Sequence, residues 1–141
     1  MPKPLSKIAS GGELSRIILA IKSVITSEKS AGTLIFDEVD TGVSGKTAQK
    51  IGEKLYKMTK SAQVICITHL AQIAALADKH FLIEKKTENG RTRTEITPLD
   101  GNLRVNEIAR IIGGEVITDL TRENAKEQIL LADKIKNKLK K

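Results

Sequence analysis

Apolar and polar positions divide the chain into short, regular segments. From Glu13 to about Ser27, the residues Leu14, Ile17, Ile18, Ala20, Ile21, Val24 and Ile25 recur at helical spacing. Ala31-Gly32 breaks that pattern. Thr33 to Asp37 then reads as a short strand, apolar on both faces as in a covered parallel sheet. Thr41-Gly42-Val43-Ser44-Gly45 is a loop. A helix from about Gly45 to Thr59 follows, with Ala48, Ile51, Leu55 and Met58 on one side. Gln63 to Thr68 predicts a second buried strand, with His69 directly after it and a two-turn helix over Leu70 to Ala77. Lys79 to Lys86 and Thr92 to Pro98 flank Asn89-Gly90, a pair that favours the tight turn of a hairpin. Asn102 to Ile112 and Asp119 to Lys140 are the last helices, split by Gly113-Gly114. In the final helix Leu130, Leu131, Ile135 and Leu139 form an apolar stripe that must pack on something.

Strands alternating with helices place the chain in the α/β class: a parallel sheet flanked by helices, then a hairpin and two helices. Functional loops of such sheets gather at the carboxyl ends of the strands. Asp37-Glu38 and His69 both occupy such ends, so neighbouring parallel strands bring them to one rim. No internal repeat interrupts this order.

At 141 residues the chain is one domain, or one lobe of a larger one. Aromatic residues make up 2% and tryptophan is absent, so the core must be aliphatic, and this argues against a base-stacking platform for single strands. A formal charge of +7 favours anionic partners such as DNA, although much of it comes from Lys126, Lys134, Lys136, Lys138, Lys140 and Lys141. The default for that lysine run is a solvated helix face; contact with DNA phosphates is the sharper reading. Cys66 lies in the apolar run Val64-Ile65-Cys66-Ile67 and reads as a small buried side chain, not a nucleophile. A lone cysteine fits a cytoplasmic setting. Met1-Pro2-Lys3-Pro4 lacks the apolar core of a secretory signal, and no stretch suits a membrane span. A motif this close to the first residue suggests a cut made in a longer chain.

Two segments carry the chemistry. Ser10-Gly11-Gly12-Glu13 opens the first helix, with Ser10 as cap and Glu13 three residues on, the capping-box arrangement. It is either a helix cap or an anion site, since helix N-terminal N–H groups and a side-chain-free Gly12 admit a phosphate. Asp37-Glu38 ends the first strand. Adjacent strand residues diverge, so Asp37 can face Mg²⁺, usually through water, while Glu38 faces an attacking water as general base. His69 is a hydrogen-bonded structural residue or a donor to a γ-phosphate. Asp40 caps the loop or organises a nucleotide-dependent interface. Arg16 reads as a surface ion-pair residue, and His80 as structural. The phosphate cradle Gly-x-x-x-x-Gly-Lys-Ser/Thr occurs nowhere in the chain.

In this order the segments resemble the C-terminal half of an ATP-binding-cassette ATPase head. Ser10-Gly11-Gly12-Glu13 resembles the signature motif, over residues 9–14. Leu34-Ile35-Phe36-Asp37-Glu38 resembles Walker B, over residues 33–38, and residues 39–42 resemble the D-loop. His69 resembles the switch histidine. More narrowly, Leu5 to Arg16, Phe36 to Gly45 and Ile67 to Ala74 resemble the RecN type of bacterial DNA repair protein, a relative of the SMC chromosome proteins. The resemblance implies a partial P-loop NTPase lobe that binds ATP and Mg²⁺. It implies ATP sandwiched between two heads of a homodimer. Ser10, Gly11, Gly12, Glu13 and Asp40 would be nucleotide-binding, Glu38 and His69 catalytic, and Asp37 a metal residue. It further implies work on DNA double-strand breaks at the bacterial nucleoid. Walker A, the Q-loop and the coiled coil would lie in an N-terminal half that this chain lacks. This chain alone would then be inactive, with exposed apolar surface. Two other readings compete. One is a non-catalytic DNA-binding or assembly module using the basic C-terminal helix. The other is a helicase fragment, since Asp37-Glu38-Val39-Asp40 matches a DExD box; the Ser-Ala-Thr expected after that box is not found.

Overall fold

The computed structural model describes residues 10–25 and 32–140. Leu5 to Ala9 and the end of the first helix beyond Ile25 lie outside the described residues, as do Ala31 and Lys141. The elements are α1 (Gly11–Ile25), β1 (Thr33–Phe36), α2 (Gly45–Met58), β2 (Gln63–Cys66), α3 (Ala71–Ala74), β3 (His80–Glu88), β4 (Arg91–Leu99), α4 (Gly101–Gly113) and α5 (Asp119–Lys140). The α/β class is as expected. The described strands form two sheets of two. β1 and β2 pair in parallel with Thr33 opposite Gln63 and Phe36 opposite Cys66. β3 and β4 pair antiparallel around Asn89 and Gly90, whose φ angles of 51° and 74° make the positive-φ turn that matches strand twist.

Two aliphatic cores organise these elements. The first joins Leu19, Leu34, Phe36, Val39, Ile51, Leu55, Met58 and Ile73. Here α2 presents Ala48, Ile51, Leu55 and Met58 at helical spacing, on the face the sequence marked. The second joins Ala71, Ala74, Ala75 and Leu76 to Ile108, Ala109, Ala125 and Ala132. Small side chains let α3, α4 and α5 approach closely. Gly52 serves the same end between α2 and α3: a methyl there would lie 2.6 Å from Leu76 Cδ1. Arg104 ties α4 to the end of α3 by donating from Nη2 to the carbonyls of Ala75 and Ala77, both at 2.8 Å.

Five expectations need correction. The strand β1 is covered on one face only: Leu34 and Phe36 are buried, whereas Ile35 is 67% exposed, with Ile65 and Ile67 also exposed beyond it. The helix α1 does not bury its apolar stripe. Leu14, Ile17, Ile18, Ile21 and Val24 are exposed, and α1 packs instead through Gly12 and Leu19, with Arg16 half-buried on the same side. In α5 the packed positions are Ala125 and Ala132, with Ile129 and Ile135 against the second core; Leu130 and Leu131 are exposed. Small alanines occupy the fully packed positions between α4 and α5. Finally, α3 is one turn, not two, and β2 ends at Cys66, so His69 stands in the loop after the strand. The exposed apolar surface itself was expected.

Candidate functional site

Parallel pairing of β1 and β2 sets the ends of both strands side by side, and the chain leaves each in a loop. After β1, Asp37 and Glu38 are exposed while Val39 and Asp40 turn inward and are buried. This reversal rests on Glu38, which holds φ at 57°, a left-handed conformation that costs a side-chain-bearing residue free energy. Thr41 N–H donates to the Glu38 carbonyl at 3.2 Å, and Val43 N–H to the Asp40 carbonyl at 3.3 Å, closing the turn.

Asp40 joins the two loops. Its side chain is 2% exposed. Oδ2 accepts from Thr68 Oγ1 and, at 2.9 Å, from the His69 backbone N–H. The same oxygen lies 3.2 Å from His69 Nδ1, on an imidazole that is itself largely exposed. A buried carboxylate needs such partners to offset desolvation. The geometry thus orients His69 from its Nδ1 side and leaves Nε2 directed away from Asp40. The shared rim expected from the strand ends is present, and the imidazole's partner on it is Asp40.

The start of α1 meets this turn. Ser10 and Glu13 form the capping box: Ser10 N–H donates to Glu13 Oε2 at 2.8 Å and Glu13 N–H to Ser10 Oγ at 3.4 Å. Those bonds hold the Glu13 carboxyl below its usual range, the Ser10 backbone bond contributing most. Beyond the cap, α1 approaches the turn closely, and at Gly12 there is no room for a side chain. A methyl at Gly11 would lie 2.8 Å from Glu38 Oε2, and one at Gly12 would lie 2.8 Å from Thr41 Cβ. Arg16, one turn further, donates from Nη1 to the Thr41 carbonyl at 2.7 Å.

Arg16 is therefore not the surface ion-pair residue its sequence position suggested, and Thr68 serves as an anchor for Asp40. No local pattern marks either, because Arg16 bonds a backbone carbonyl and Thr68 bonds a residue from the other strand's loop. One cue existed: Gly12, Arg16, Leu19 and Ser23 share a helix face. Among the described residues no group of three or more His, Cys, Asp and Glu side chains could hold a metal ion. One exposed Asp37 carboxylate still fits Mg²⁺ that arrives with a nucleotide, because that ion takes one or two carboxylates and completes its shell with phosphates and water. Cys66 is half-buried, and burial, then Asp40 and Asp37, push its thiol up to about 12. It remains protonated and unreactive, as expected. On α5, Lys136 turns inward, 2.8 Å from Asp78 Oδ1 and 5.5 Å from the Tyr56 ring centre. Lys126 pairs with Glu123. The basic helix thus spends part of its charge within the fold. No helix among the described residues is long and apolar enough to cross a membrane.

The structure shares the α/β fold of a solved chain described as "Structural biochemistry of ATP-driven dimerization and DNA stimulated activation of SMC ATPases", with a TM-score of 0.55 and 23% identity over 78% of this chain and 66% of that one. No family model matches the sequence. The particular likeness is to RecN: the chain is 54% identical over 134 residues to the DNA repair protein RecN of Bacillus subtilis and 52% identical over 134 residues to RecN of Halalkalibacterium halodurans. It is 51% identical over 129 residues to RecN of Haemophilus influenzae. These alignments cover 95%, 95% and 91% of this chain but 23%, 24% and 23% of the relatives. The chain spans about a quarter of the length of the curated relatives it matches, and the resemblance read from its motifs extends over nearly all of it.

Proposed function

We propose that this chain is the part of a RecN-like repair ATPase head that supplies the signature motif, the Walker B carboxylates and the switch histidine. One observation carries the reading. A single turn after β1 presents Glu38 beside the start of α1 and, through Asp40, fixes His69. Glu38 is the general base: its carboxylate accepts the proton of the water attacking the γ-phosphate of ATP. The His69 imidazole presents its Nε2 side to the phosphates, in an orientation set by Asp40 at Nδ1. Asp40 acts by positioning that ring, because its own oxygen is spent within the fold. Asp37 is the carboxylate that would hold Mg²⁺. When bound, Mg²⁺ neutralises charge on the phosphates.

Ser10, Gly11, Gly12 and Glu13 form the surface for the γ-phosphate of ATP held by a second head, so that ATP joins two heads and hydrolysis releases them. Favourable helix N-terminal potential, on the order of 0.3–1 kcal/mol, supports an anion there. The rest of the head, including Walker A, covers the exposed Ile35, Ile65 and Ile67 face. The work of the whole protein is repair of DNA breaks in the bacterial cell.

The test is Glu38→Gln in the full-length protein. Turnover falls by at least about 100-fold, the usual worth of a positioned general base. ATP-dependent dimers, followed by sedimentation, persist and accumulate. Unchanged turnover in that variant would remove Glu38 from the mechanism.

A further inference from the structure

We infer that Arg16 is a positioning residue for ATP hydrolysis, holding the turn that carries Glu38 against α1; the inference rests on the reading of Glu38 as general base. Arg16 donates to a carbonyl 25 residues away in sequence, at 2.7 Å. A carboxylate lies closer along the helix, but Glu13 is occupied by the Ser10 cap. Fixing a long arginine side chain on a neutral acceptor costs rotamer freedom, which a short charge-assisted bond offsets.

The acceptor is what gives Arg16 leverage. Thr41 takes the arginine bond on its carbonyl and gives its own N–H to the Glu38 carbonyl. One residue therefore links the guanidinium to the backbone of Glu38. That backbone sits at φ 57°, a conformation that persists only where its surroundings impose it. The turn has two anchors. Asp40 fastens it to Thr68 and His69 on one side, and Arg16 fastens it to α1 on the other. Gly11 and Gly12 bring α1 within contact of the same turn. A helix is stiff, so a shift of the α1 N-terminus on docking against nucleotide moves Arg16, then Thr41, then Glu38. Arg16 thereby connects the phosphate surface of α1 to the carboxylate that activates water.

The experiment compares Arg16→Ala, Arg16→Lys and Glu38→Gln in the full-length protein, measuring kcat, KM for ATP, ATP-dependent dimerisation and thermal midpoint. Arg16→Ala is expected to lower kcat by about 100-fold, the scale of a 1 Å misplacement of a catalytic group, with KM and dimerisation retained. Arg16→Lys recovers part of kcat, since an ammonium can donate to the same carbonyl. The inference is overturned if Arg16→Ala keeps wild-type kcat. It is equally overturned if kcat falls only together with dimerisation and thermal midpoint and Lys restores none of it. Glu38→Gln separates the two claims: an active Glu38→Gln enzyme removes the underlying reading. An inactive Glu38→Gln enzyme beside a fully active Arg16→Ala enzyme removes only the role of Arg16.

Discussion

The two cores differ in how completely they are closed. Around α3, α4 and α5, Ile108, Ala109 and Ala125 are fully buried, and alanines set a close helix spacing. Around β1, β2 and α1, one face of the sheet is packed while Ile35, Ile65 and Ile67 on the other stand exposed, as does the apolar stripe of α1. The proposed site belongs to the open region, and its polar anchors bind loop to loop. The closed region supplies a frame, and the open region leaves aliphatic surface exposed. Exposed aliphatic side chains on this scale are costly to leave in water, and on the proposed reading the rest of the head covers them.

This contrast can be attacked where the effect is greatest. Ile108→Ala empties a fully buried position in the closed core and should cost about 2–5 kcal/mol, read as a fall in the denaturation midpoint. A cost near zero would mean that the closed core is not closed.

A smaller effect is expected from pH. His80, at the start of β3, is half-buried, and its Nδ1 and the nearby Arg104 Nε are buried without a hydrogen-bond partner among the described residues. Burial, reinforced by Arg104 and opposed by Glu107, lowers the His80 pKa below its ordinary 6.5. The unfolded chain therefore binds the proton more readily than the folded one. His80 should favour folding above pH 6.5, with that contribution lost as pH falls through the lowered folded value. His80→Gln should flatten this acid limb in a series of melts. An unchanged limb would assign it to other groups.

The smallest effect should come from the open region. Ile35→Thr should change the stability of the isolated chain by no more than about 0.5 kcal/mol, because the side chain is already 67% exposed. A loss as large as that of Ile108→Ala would show that the face is covered in solution.

Much of this was legible in sequence because it is local. The capping box of Ser10 and Glu13, the Asn89-Gly90 turn and the α2 face each depend on residues within one or two turns of one another. The carboxylates at the end of β1 followed from the apolar run before them. The α1 face was not legible, since its stripe of isoleucines resembles a core face whether or not something covers it. Nor were Leu130 and Leu131, because hydrophobicity alone does not say which face of α5 the tertiary packing covers.

The sequence by itself determined the order of elements, the α/β class and the set of side chains available at the strand ends, since spacing, turn chemistry and capping act over short range. Only the tertiary structure decided which carboxylates face outward and which inward. Asp37, Glu38 and Asp40 are chemically similar, yet the left-handed backbone at Glu38 sends Asp40 into the fold to meet Thr68 and His69. It also decided that Arg16 binds Thr41, because that carbonyl becomes a partner only after α1 and the turn have packed together.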